Sequence, residues 1–109
     1  MTERQQRIVC AFDQRSPRVS EFDIHELVYE TLHLQEHEVV MIQIGVSRRH
    51  VYIKFRDPQR MQAILTATQG QEDFRHENGE ISEVLIEAVG LRMRRVRVVS
   101  LPPKWKTRP

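Results

Sequence analysis

One cysteine in 109 residues rules out an internal disulfide and any zinc site built on paired cysteines. A lone thiol fits a reducing compartment, here the cytoplasm or the nucleus. Cys10 sits inside an apolar alternation and reads as a packing residue. No apolar run approaches the roughly 18–20 residues that a membrane span needs, so no membrane partner is expected. The opening M-T-E-R-Q-Q-R lacks the apolar core of a secretory signal. There is no Gly-rich phosphate loop, no nucleophile elbow and no Ser-His-Asp-like set, so neither an enzyme nor a cofactor is expected. The five histidines, His25, His33, His37, His50 and His76, make no metal-ligand pattern.

The distribution of charge is more informative than the net +2. Residues 1–90 hold 10 Lys and Arg against all 15 acids, a net −5. Residues 91–109 hold seven cations and no acid, a net +7. Any electrostatic case for nucleic acid from overall charge therefore concerns the tail. The chain divides accordingly into a folded unit, 1–90, and a basic extension, 91–109.

The densest pattern is Val39 to Phe55, V-V-M-I-Q-I-G-V-S-R-R-H-V-Y-I-K-F. Val40, Ile42 and Ile44 alternate with Val39, Met41 and Gln43, and Val51, Ile53 and Phe55 with His50, Tyr52 and Lys54. Period-2 alternation marks two strands with one buried face, turning at Gly45 to Ser47. Upstream, residues 7–13 predict a strand with Ile8, Cys10 and Phe12 inward. Ser20 with Asp23 three residues on, and Val19 with Ile24, give the capping box and staple of a helix over 20–33. Its stripe is Ile24, Leu27, Val28 and Leu32. Asp57-Pro58 starts a second helix, 58–69, with Met61, Ile64, Leu65 and Thr68 inward and Gly70 as a left-handed stop. Asn78-Gly79 predicts a type I′ hairpin between a short strand at Phe74 and a longer one, Ile81 to Val89. The buried side of that longer strand is Val84, Ile86 and Ala88. Arg94 to Val99 is a further alternating run.

The order predicts an α+β domain of the ferredoxin-like kind, a β-α-β-β-α-β sandwich with an extra hairpin and a C-terminal extra strand. This order resembles an RNA-recognition motif, and within R-R-H-V-Y-I-K-F the residues Arg48, Tyr52, Ile53 and Phe55 match that motif's third-strand signature. The phrases F-D-I-H-E-L-V-Y-E-T-L-H-L, V-Y-I-K-F, T-Q-G-Q-E-D-F-R-H-E-N-G-E-I-S and R-R-V-R-V-V-S-L-P-P resemble the gag-like first-open-reading-frame proteins of animal non-LTR retrotransposons, and related cellular CCHC zinc-knuckle proteins. That resemblance implies RNA-recognition-like domains followed by zinc knuckles, binding of RNA or single-stranded DNA, and assembly into ribonucleoprotein particles. It makes Arg94 to Pro103 the opening strand of a truncated second domain.

The candidate contacts follow. Arg48, Arg49, His50, Tyr52 and Lys54 would supply stacking and phosphate contacts on the sheet, and Arg92, Arg94, Arg95 and Arg97 phosphate contacts from the extension. Glu83 and Glu87 share the open face and oppose phosphate there. The apolar residues Val9, Ala11, Met41 and Leu85 would form a partner surface, for self-association or a protein partner, with the run Arg94 to Val99 as one possible cover.

Overall fold

The computed structural model describes residues 7–90 and the backbone of 96–99. Six strands, β1 (Arg7–Phe12), β2 (Val39–Gly45), β3 (His50–Phe55), β4 (Gln71–Arg75), β5 (Ile81–Val89) and β6 (Val96–Val99), form one sheet in the order β4-β5-β1-β3-β2-β6. Every neighbouring pair is antiparallel. The fold is α+β, with α1 (Glu21–His25) between β1 and β2 and α2 (Pro58–Thr68) between β3 and β4.

Both helices start where their caps predict. The Ser20 hydroxyl accepts from the Asp23 N–H, and the Asp23 carboxylate accepts from the Ser20 N–H. Asp57 caps α2 through the Gln59 N–H, with Pro58 at the first position. The first helix departs from regular winding after His25: Glu26–Thr31 is a π turn, closed by Leu32 N–H on Leu27 O at 2.9 Å. Ile24, Leu27, Val28 and Leu32 are all buried as the stripe predicts, and Tyr29 joins them. His25 is 3% exposed and packs edge-on against Tyr29, ring centroids 4.7 Å apart. In α2, Met61 and Ile64 are buried while Leu65 and Thr68 are half-buried. The left-handed stop is taken first by Gln69 (φ 55) and then by Gly70 (φ 81).

These residues pack with Ile8, Cys10, Phe12, Ile42, Ile44, Val51, Ile53, Phe55, Phe74, Val84 and Ile86 into one core, so both helices cover the same side of the sheet. Two expected inward residues are displaced. A bulge between Val39 and Met41 breaks the β2 alternation: Val39 packs on the core and Val40 is 42% exposed. Ala88, near the end of β5, is exposed, and Ser82 at the other end is buried instead.

Two turns also differ in kind from the two-residue hairpin. His76 N–H bonds Glu80 O at 2.7 Å and Gly79 N–H bonds His76 O at 2.9 Å, with left-handed backbone at Gly79 (φ 92) and not at Asn78. This is a three-residue loop, in which only the last position needs positive φ. Gly45–Arg48 closes in the same way, but the left-handed residue is Arg48 (φ 62). A side chain there costs about 1–2 kcal/mol. Three bonds offset that cost: Arg48 N–H to Gly45 O, Val19 N–H to Arg48 O, and Arg48 Nε to Val19 O.

Cys10 is fully buried, and burial pushes its thiol from 9.0 up to about 12. The unfolded thiol ionises near its ordinary value, so this contribution to stability is intact below about pH 9 and is lost as pH rises toward 12. At pH 7 the native thiol holds roughly a thousandfold less thiolate than a free one. Disulfide-exchange labelling of the folded protein should be slower than in urea by at least a hundredfold. Equal rates would contradict a packed Cys10.

Candidate functional site

The sheet side away from the helices is set by register. Arg7 pairs with Lys54 and Val89, Val9 with Tyr52 and Glu87, and Ala11 with His50 and Leu85. Beyond β3, Tyr52 pairs with Gln43 and Lys54 with Met41. On the outer strands Asp73 pairs with Glu83. The face is uneven in charge. Its β4–β5 half carries Asp73, Glu83 and Glu87 with one cation, Arg75, and its β1–β3 half carries Arg7, His50 and Lys54.

His50 and Tyr52 stand together on the β1–β3 half. Their rings are nearly parallel, 18° apart, with centroids 6.5 Å apart. His50 is exposed and Tyr52 and Lys54 are half-exposed. Beside them Arg7 and Lys54 are direct cross-strand neighbours of like charge, an arrangement that destabilises a sheet. The Arg7 Nε is buried and has no hydrogen-bond partner. Arg7 is missing from the residues expected at the site although its signal is present, since it shares the period-2 face of Val9 and Ala11.

Arg48 and Arg49 sit in the turn before β3, where their guanidinium groups are engaged with backbone. Arg48 precedes β3 in the turn and spends its Nε on Val19 O; Arg49 spends its Nε on Ser16 O at 3.0 Å. Both guanidinium groups tie the β1–α1 loop to the β2–β3 turn. Arg92, Arg94 and Arg95 lie outside the described residues. Arg97 belongs to β6, whose backbone pairs Arg97 with Ile44, so the run 96–99 extends the sheet at β2 and does not cover its face. The apolar surface is smaller than expected. Val9 is 9% exposed, between Tyr52 and Glu87, while Ala11 and Met41 are half-buried. Of the four residues expected there, Leu85 at 50% is the one broadly exposed, and Ile81 on the same strand joins it.

A second cluster lies at one end of the sheet. His76 Nδ1 is 3.2 Å from Asp23 Oδ2, His76 Nε2 is 2.6 Å from Ser82 Oγ, and Ser82 Oγ is 2.7 Å from Ser16 Oγ. The Asp23 carboxylate also accepts the Glu77 N–H at 2.8 Å. All four side chains are buried. The chain of bonds pins the β1–α1 loop and the start of α1 to the β4–β5 hairpin. A hollow of about 360 Å³ opens beside it, with Ser16 and Ser82 on its wall. Nothing in the local sequence announces this cluster, because its contacts join residues 53 and 66 positions apart. Among the described residues no group of three or more His, Cys, Asp or Glu could hold a metal ion, and no helix is long and apolar enough to cross a membrane.

Comparison with known proteins adds no assignment: no protein-family model matches the chain, and no curated protein matches it.

Proposed function

We propose that this chain is a degenerate RNA-recognition-like domain of ferredoxin-like topology, from a gag-like retrotransposon protein, that holds single-stranded RNA on the β1–β3 half of its open sheet. The central strand order β5-β1-β3-β2, with one helix in each crossover, supports the topology. The observation that carries the function is the near-parallel His50–Tyr52 pair beside two adjacent cations, Arg7 and Lys54. Rings on an open sheet stack unpaired bases whatever their identity, and the cations meet the backbone phosphates. Glu83 and Glu87 confine the strand to one half of the face, because phosphates are repelled from the β4–β5 half.

The test is fluorescence anisotropy of labelled single-stranded RNA with the full chain, at two salt concentrations. Tyr52→Ala should weaken binding by about 1–3 kcal/mol, one stacked base, with the fold retained. A second variant carries Gln at 92, 94, 95 and 97. If that variant alone removes affinity and Tyr52→Ala does nothing, the extension binds through counterion release and the platform reading is wrong. If the wild-type chain binds no RNA and self-associates in light scattering, the sheet serves assembly instead.

A further inference from the structure

We propose that β6 is an exchanged strand: in a dimer, Val96–Val99 of each copy pairs with β2 of the other, in the register that the structure shows within one chain. The partner is a second copy of this chain, and the proposal does not depend on RNA binding.

The first observation is the reach of the connection. From β5 to β6 the sheet passes through β1, β3 and β2, a lateral distance of about 19 Å. The two strands also stand at different heights. Val89 is level with Arg7, Lys54 and Met41, whereas Val96 is level with Gly45, farther along β2. In a straight line β6 therefore begins about 20–23 Å from the end of β5. The chain from Val89 to Val96 reaches at most about 23–25 Å when fully extended. Both helices fill one side of the sheet, so a connection within one copy has to clear the side chains of the open face. A path around either end of the sheet is longer still. That leaves no slack. Between two copies the same connection need not cross a sheet. A short hinge under strain favours exchange of an identical element, because every ladder bond is kept and only the hinge is relieved.

The second observation is the edge that β6 covers. Val39–Gly45, V-V-M-I-Q-I-G, carries no charge and no proline, two of the devices that blunt an exposed edge. Its bulge, a third such device, lies between Val39 and Met41, outside the segment Ile42 to Gly45 that pairs with β6. The opposite edge of the sheet is built differently. In β4, Q-E-D-F-R, the residues Glu72, Asp73 and Arg75 are charged. One edge is thus protected by its own sequence, and the other depends on the strand that covers it.

Light scattering on the full chain without RNA, at micromolar concentration, should give twice the mass of one chain. Inserting about six Gly and Ser residues after Gly90 adds about 20 Å of reach and lets β6 return to its own β2. That variant should be a monomer with an unchanged circular-dichroism spectrum. Tyr52→Ala should stay dimeric, which separates this contact from association through the open face. Gln43 and Val98 are cross-strand partners, so a chain carrying both Gln43→Cys and Val98→Cys reports which copy supplies β6. After mild oxidation it should run as a covalent dimer on a non-reducing gel, and as a monomer with an internal disulfide once the hinge is lengthened. Cys10 is buried and takes no part. A monomeric wild-type chain overturns the exchange, and so does a dimer that survives the insertion. A disulfide closed within one chain at the natural hinge length, or no disulfide at all, overturns it as well. None of these readouts involves RNA, so their failure leaves the platform reading standing.

Discussion

Replacing Asp23 by alanine should lower the unfolding free energy by about 3 kcal/mol or more, the largest single effect expected outside the apolar core. The Asp23 carboxylate is 3% exposed as a residue and accepts three bonds, from the Ser20 N–H, the Glu77 N–H and His76 Nδ1. Truncation removes all three bonds at once. The His76 ring stays buried with a donor facing a void, the hairpin loses its tie at Glu77, and the capping box keeps only the Ser20 half. A buried donor left unpaired costs about 1–3 kcal/mol, and each of the other lost bonds about 0.5–1.5 kcal/mol. Asp23→Asn separates geometry from charge, since its amide keeps one acceptor oxygen and should recover about half the loss. Urea unfolding monitored by circular dichroism measures both variants. A midpoint shift worth less than about 1 kcal/mol for Asp23→Ala, with unchanged slope, would mean the cluster is incidental to the fold.

The parts of this architecture that rest on neighbours in sequence are legible in it. Ser20 with Asp23, Asp57 with Pro58, and the alternation of Ile8, Cys10 and Phe12 each encode local geometry, and each is found where the pattern places it. The departures arise where one added residue or one distant contact overrides the local pattern. A single bulge at Val40 turns a would-be core residue outward. Asn78 does not take the left-handed backbone of a type I′ pair, because Gly79 alone carries positive φ in a longer loop. Alternation puts Arg48 at the head of a ligand-facing row, but a left-handed turn withdraws it to hold Val19. The candidate site divides in the same way. His50, Tyr52 and Lys54 follow from period-2 alternation, whereas the Arg7–Lys54 pairing needs the strand order, and the Asp23–His76–Ser82–Ser16 chain needs the whole tertiary fold.

That pairing leads to a result of opposite signs. Arg7→Gln should stabilise the free protein by a few tenths to about 1 kcal/mol while weakening its hold on single-stranded RNA. Two like charges directly across a ladder repel, and removing one relieves the repulsion. The substitution also relieves a buried Nε that lacks a partner, since the shorter amide need not reach the same depth. In the proposed complex the same two cations meet phosphate, which satisfies both the excess charge and the orphan donor, so their cost in the free state is recovered on binding. The reversal Arg7→Glu with Lys54→Glu should then reduce affinity at low salt by about a hundredfold or more. For a single strand the slope of log affinity against log salt should flatten by about 0.7 for each phosphate that the variant no longer neutralises. Chemical unfolding and anisotropy on the same preparations give the two signs independently. A destabilised Arg7→Gln that binds RNA with wild-type affinity would identify Arg7 as a structural residue and remove the electrostatic half of the platform.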